Sequence, residues 1–165
     1  MSGSGLHEHV LAALTASGVA FEPTPFHGDL RTVAQVADAL GLDPARIAKA
    51  LLVRVDGTTL AVVVLPGNRR LDTEAVATAL GAARVEMVGR AEVQSLSGVE
   101  PGAVTPLLAL VRPELRVLAD EALVHFKAVN VSSGSPLLGV TIAPRTLLEL
   151  THAATLKLSS AEATH

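Results

Sequence analysis

The sequence predicts a mixed α/β fold, a β-sheet wrapped by helices, and three observations predict it. Helix-patterned and strand-patterned segments are interspersed along the whole chain. Asp56-Gly57 lies between the apolar runs 50–55 and 59–65, and Asp-Gly is a two-residue hairpin turn. Val62-Val63-Val64-Leu65 is apolar on both faces, as expected of a central strand covered on both sides.

The elements follow in order. Leu6, Val10, Leu11 and Leu14 recur at helical spacing over residues 6–17, and Gly18 is a natural stop. Residues 19–26 read as extended, punctuated by Pro23 and Pro25. Thr32 caps a second helix whose apolar stripe is Val33, Val36, Ala37 and Leu40, and Gly41 ends it. Asp43-Pro44 opens a short helical turn, with Asp as cap and Pro at the first position. After the hairpin, Pro66-Gly67-Asn68 closes the second strand. A helix runs from Asp72 to Leu80 and stops at Gly81. Residues 85–88 form a short strand and 91–96 a short helix. A loop punctuated by Gly98, Pro101, Gly102 and Pro106 follows. Residues 107–111 and 115–119 are strand candidates, and 129–132 pairs with 138–143 around Ser133-Gly134-Ser135-Pro136. Pro144 starts a helix through residue 150, and the tail after Ser159 is expected to fray. With no repeat, linker or low-complexity stretch, the 165 residues read as one domain, 1–165, with a core at about 6–158.

Composition removes several function classes. The chain has no Cys, which excludes disulfides, thiolate catalysis and Cys-ligated zinc. Three Phe with no Tyr or Trp argue against stacking several bases on aromatic rings. A net charge of -3 is not the basic footprint of a protein that grips long nucleic acid, although contact with a short polynucleotide end is compatible with it. The first residues lack a signal-peptide pattern and no apolar run has the length of a membrane span, so a cytoplasmic location is expected.

No P-loop, G-x-G-x-x-G or G-x-S-x-G motif occurs. His7 and His9, two apart on a helix, point to different faces and suggest a solvated end, not a metal pair. Asp120, Glu121 and His125 read as a surface cluster. Lys49 stands out: the chain holds ten Arg and three Lys, and this Lys starts the apolar strand run. It is either a compact cation aimed at a ligand's phosphate or carbonyl, or a stem on apolar surface with its head in water. Residues 98–106 and 132–136 are either ordinary connections or small-residue loops whose N–H groups can meet an anion or a developing oxyanion.

Four segments then match a known family in order: 31–41 (RTVAQVADALG), 47–53 (IAKALLV), 101–106 (PGAVTP) and 133–136 (SGSP), with 71–82 between them. The chain resembles the YbaK/prolyl-tRNA synthetase-associated domain family, the aminoacyl-tRNA editing deacylases. The resemblance covers about residues 6–158 and implies a curved, mixed, partly barrel-like sheet surrounded by helices. It implies hydrolysis, in trans, of the ester joining a wrong amino acid to a tRNA 3′ end, typically tRNA-Pro carrying Ala or Cys. The partner implied is tRNA, with an aminoacyl-tRNA synthetase as a further candidate. No metal or cofactor is implied, and substrate groups such as the terminal ribose hydroxyl assist. By the resemblance, Lys49 positions the terminal phosphate or polarises the ester carbonyl. The backbone of Gly102, Ala103, Val104, Thr105 and Pro106 holds the aminoacyl group and oxyanion, and Lys49 and Gly102 carry the chemistry. Ser133, Gly134, Ser135 and Pro136 close the pocket, and Thr32 and Ala50 join the substrate-binding set. Three departures bear on the substrate: Gly102-Ala103 replaces a glycine pair, Ala50 stands where Ser or Thr is common, and no acidic residue lies near residues 138–141. The alternative of another class is a non-catalytic module of the same fold that holds a tRNA end, a nucleotide or a partner protein.

Overall fold

A computed structural model describes residues 5–161. It contains five α-helices, α1 (Leu6–Ser17), α2 (Val33–Leu40), α3 (Thr73–Leu80), α4 (Arg90–Ser97) and α5 (Pro144–Thr151). Ten strands accompany them: β1 (Glu22–Pro25), β2 (Ala48–Val55), β3 (Thr59–Pro66), β4 (Arg69–Leu71), β5 (Val85–Met87), β6 (Arg116–Asp120), β7 (Val129–Ser135), β8 (Leu138–Ile142), β9 (Ala154–Leu156) and β10 (Ser159–Ala161). The main sheet is mixed, in the order β5-β2-β3-β6-β9, with β3–β6 and β6–β9 parallel. An antiparallel sheet β1-β8-β7 and the pair β10-β4 complete the strands, so the mixed α/β expectation holds.

β3 explains the architecture. Val62 and Val64 point into one core, with α1, α5 and the 99–115 segment, while Ala61, Val63 and Leu65 point into a second core under α3. All five are at most 1% exposed. A strand wetted on neither face carries an unbroken apolar run because successive side chains alternate between two interiors. The Asp56-Gly57 turn joins it to β2 in an eight-pair antiparallel register, with both residues at positive φ as the turn requires.

The helix boundaries follow local chemistry. Thr32 Oγ1 accepts from the Gln35 N–H while Gln35 Oε1 accepts from the Thr32 N–H, a reciprocal capping box at α2. Asp72 caps α3 through the Ala75 N–H, and Asp43 caps a 3₁₀ turn over Pro44–Arg46. That turn and α2 press on the β3–β4 corner. A Cβ built on Gly67 would lie 2.5 Å from the Pro44 carbonyl oxygen and 2.6 Å from Val33 Cγ1.

Three expectations are corrected. Residues 107–111 are not a strand but a 3₁₀ helix, Pro106–Leu110, because Thr105 caps it through the Leu107 N–H and Pro106 suits the first helical position. The tail does not fray at Ser159, because Ser159–Ala161 forms β10 and pairs with β4; residues 162–165 lie outside the described part. Asp120 is not a surface residue: it is 2% exposed and its carboxylate accepts from Ala122 N, Leu158 N and Ser159 Oγ. Glu121 and His125 are exposed.

Gly67→Ala is expected to cost about 2 kcal/mol, since the new methyl meets a backbone oxygen that cannot turn away. Urea unfolding of the variant against the wild type measures it.

Candidate functional site

The site begins with a strand edge that loses its partner. β5 pairs with β2 only at Val53, Arg54 and Val55. At the other end of the same strand, Ile47 makes a single parallel bridge to Asn130 of β7. Between them, residues 47–52 line a cavity of about 410 Å³. The Val88 N–H reaches the Leu52 carbonyl, so the Leu52 polar groups face this edge. Strand alternation turns the N–H and C=O of Ala50 the same way, toward the cavity.

Four other segments wall the cavity. Leu30, Arg31, Thr32, Val33 and Val36 come from α2 and its approach, and Met87, Val88, Arg90 and Val93 from β5 and α4. Pro101, Gly102 and Val104 come from the glycine-proline loop, and Asn130, Ser132, Ser135, Leu138 and Gly139 from β7 and β8. Phe26 closes the wall beside Gly139, where a Cβ would lie 2.8 Å from the phenyl Cζ and 2.6 Å from Asn130 Oδ1. Arg31, Lys49 and Arg90 are the charged lining residues, and no carboxylate lines the cavity among the described residues. One of the three, Arg31, is ion-paired to Asp29 and Glu100 just outside the lining.

Lys49 lies on β2 in register with Leu65, and its Nζ donates to the Arg69 carbonyl at 2.6 Å. Arg31 joins two walls: it donates to Asp29 at 2.9 Å, to Glu100 at 3.3 Å and to the Pro101 carbonyl at 3.5 Å. The hydrogen bond to Asp29, against the opposing effect of desolvation and with added help from Glu100, raises the pKa of this guanidinium above its ordinary value. Gly102 packs directly beneath it. Its φ is +87°, and a Cβ there would lie 2.7 Å from the Arg31 carbonyl oxygen and 2.8 Å from Arg31 Cβ. Glycine at 102 therefore permits close approach of two backbones as well as a left-handed turn.

Of the residues singled out in the sequence, Thr32, Lys49, Ala50, Gly102, Val104 and Ser135 come together on this cavity. Ala103, Thr105, Pro106, Ser133, Gly134 and Pro136 are buried and do not line it. Thr105 is occupied as a helix cap, and Ser133 Oγ donates to the Leu138 carbonyl. Gly134 sits in a bulge of β7, facing Val99 and the backbone of His7 on α1. What reads as a second loop is a bulged strand end, and it acts on the first loop through Ser132 Oγ, which donates to the Ala103 carbonyl at 3.0 Å. Arg31, Arg90 and Asn130 are lining residues that sequence reading did not pick out, whereas Ser132 opens the 132–136 segment that it did. Arg31 begins one of the matching segments, but nothing local marks Arg90 or Asn130.

Among the described residues no three His, Asp or Glu side chains group as metal ligands, and no helix is long and apolar enough to cross a membrane.

Comparison with known proteins follows the same segments. Residues 27–150 match the family model described as an aminoacyl-tRNA editing domain. The Enterococcus faecalis protein named "Putative Cys-tRNA(Pro)/Cys-tRNA(Cys) deacylase EbsC" is 32% identical over 71% of this chain and 70% of its own length. The Escherichia coli K12 "Multifunctional Ser/Thr-tRNA deacylase ProXp-y" is 27% identical over 73% of this chain and 72% of its own. The crystal structure of hypothetical protein APE2540 superposes with a TM-score of 0.85 at 28% identity, covering 92% of this chain and 99% of that one.

Gly102→Ala is expected to cost about 2 kcal/mol, from a strained positive φ and a clash with the Arg31 backbone. Thermal unfolding measures the loss, and limited proteolysis within residues 98–106 locates it.

Proposed function

The chain belongs to the aminoacyl-tRNA editing domain family, and from that premise we propose that it is a trans-editing hydrolase that cleaves the ester of mischarged aminoacyl-tRNA. One observation carries this reading: Lys49 and the Gly102 loop, 53 positions apart by numbering (102 − 49), line the same cavity, whose charged lining residues are all cationic. A tRNA 3′ end is a polyanion ending in an activated ester. Cationic residues beside an apolar pocket, with Arg31 already paired to Asp29 and Glu100, suit a phosphate at the mouth and a small aminoacyl group inside.

In this reading water attacks the ester carbonyl, and the amino acid leaves the terminal ribose hydroxyl. Lys49 anchors the terminal phosphate or the carbonyl oxygen as a compact charge. Backbone N–H groups of Gly102 and Val104, with that of Ala50 on the open β2 edge, face the oxyanion as it develops, while the Ala103 N–H is taken by the Glu100 carbonyl. Hydrolysis of an ester already activated by its ribose needs position and charge more than a strong base, which agrees with a site containing no Ser-His-Asp set. The reading assigns no metal and no cofactor; ribose hydroxyl assistance supplies the proton handling. The apolar walls Val33, Val36, Leu52, Val88, Val93 and Val104 favour a small, weakly polar side chain. Ala- or Cys-tRNA-Pro is accordingly the substrate class proposed, in the cytoplasm. A synthetase carrying that tRNA is the partner proposed. Editing is required because a synthetic site cannot reject a smaller side chain by more than a few kcal/mol, on the order of 1–3 per methylene.

The test is a panel of Ala-, Cys-, Ser- and Thr-tRNA, read as ester remaining against time. Ala- or Cys-tRNA-Pro is expected to be cleaved fastest. No cleavage above the spontaneous rate across the panel would sink the enzymatic reading, and tight binding of an uncharged tRNA end without turnover would favour a binding module. Lys49→Ala is expected to lower kcat/KM by about 10²-fold with the fold intact by circular dichroism.

A further inference from the structure

We propose that Asp120, Ser159 and Arg69 form a positioning network that, from outside the cavity, fixes the ammonium of Lys49, a residue that lines it. The inference rests on the role proposed for Lys49, but none of the three residues lines the cavity. The network starts at Asp120, the last residue of β6. Its Oδ1 accepts from the Ala122 N–H at 2.9 Å; its Oδ2 accepts from the Leu158 N–H at 2.9 Å and from Ser159 Oγ at 2.6 Å. Ser159 is 3% exposed. On its other side, Arg69 Nε donates to Ser159 Oγ at 2.6 Å, and Arg69 Nη2 donates to the Ser159 carbonyl at 3.0 Å.

The directions of these bonds are forced. A guanidinium has only donors and a carboxylate only acceptors, so the hydroxyl between them must give its proton to Asp120 and its lone pair to Arg69. Arg69 is thus fixed through its side chain as well as through the β4–β10 ladder. The carbonyl of the same residue receives the Lys49 ammonium at 2.6 Å. A lysine stem has four rotatable carbons, so an acceptor held at a fixed point narrows its conformers. A buried carboxylate, a buried hydroxyl and a guanidinium are more than a three-residue strand needs for pairing. Their chain of bonds ends on the one lysine that lines the cavity.

The chain has three lysines, so lysine labelled with ¹³C at Cε gives three side-chain signals. In Ser159→Ala and in Arg69→Ala the Lys49 signal is expected to move while that of Lys127 stays. For whichever mischarged tRNA the wild type cleaves, kcat/KM is expected to fall about tenfold in both variants. Arg70→Ala, an exposed neighbour on the same strand, is expected to change neither readout. A Lys49 signal that stays put in both variants overturns the proposal, and so does an activity loss with an unmoved Lys49 signal, which marks simple destabilisation. If the wild type cleaves no mischarged tRNA, the proposed function fails, and the Lys49 signal still decides whether the network positions the ammonium.

Discussion

Everything at the candidate site depends on how far β2 is paired along its outer edge. Backbone N–H and C=O groups must find partners, and a sheet normally supplies them by adding a strand. Here β5 supplies them for three residues and a single bridge to Asn130 marks the other end. The interval between is a strand edge inside the fold. Apart from the Leu52 carbonyl, which accepts from the Val88 N–H, it stays available because α2, α4, the glycine-proline loop and the β7–β8 end surround it without pairing to it among the described residues. Natural proteins cover or blunt such edges, since an open one invites another chain. In this protein the cover is concave, and the result is a pocket.

The walls are held by contacts with little freedom. Gly67 seats the 3₁₀ turn and Val33 of α2 against the β3–β4 corner, Gly102 seats the 101–104 segment under Arg31, and Gly139 seats Phe26 and Asn130 together. At Gly67 and Gly102 a side chain would meet a backbone carbonyl oxygen that cannot yield cheaply, and at Gly139 it would meet the ends of the Asn130 and Phe26 side chains. Arg31 then ties the α2 approach to the loop by ion pairs to Asp29 and Glu100. These pairs are partly exposed and individually weak, so the glycine contacts set the shape and the ion pairs close it. Arg31, Lys49 and Arg90 are the charged residues of the lining among the described residues.

Much of the fold was legible because its signals are local. Thr32, Asp43 and Asp72 cap through their own side chains, the glycines at 18, 41, 81 and 98 stop helices in the left-handed region, and Asp56-Gly57 sets a register that needs no distant contact. The errors arose where tertiary partners decide. Residues 107–111 carry the composition of a strand, yet Thr105 and Pro106 bend them into a 3₁₀ turn. β9 and β10 are three residues each and mostly exposed, so neither has an apolar alternation to read. Within the site, Lys49 and Gly102 stood out by residue type and by their place in matching segments. Arg90 and Asn130 did not, because only the folded chain brings α4 and β7 to the β2 edge. Asp120 was misread for the same reason: a charged triplet with His125 looks solvated until the segment around Ser159 is laid across it.

That strap has a consequence for assembly. Arg69 and Ser159 are 90 residues apart, and Asp120 and Ser159 are 39 apart. Hydrogen bonds over such separations cannot form early by local search, because the loop entropy is repaid only when the intervening sheet is in place. On a ribosome, β2, β3 and the walls from α2, α4 and the 101–104 segment are made well before residue 159 is. Lys49 would meet the Arg69 carbonyl as soon as the β3–β4 corner forms, but the clasp behind that carbonyl would close only with the last described strand. A nascent chain can thus shape most of its pocket first and acquire the clasp behind Arg69 last.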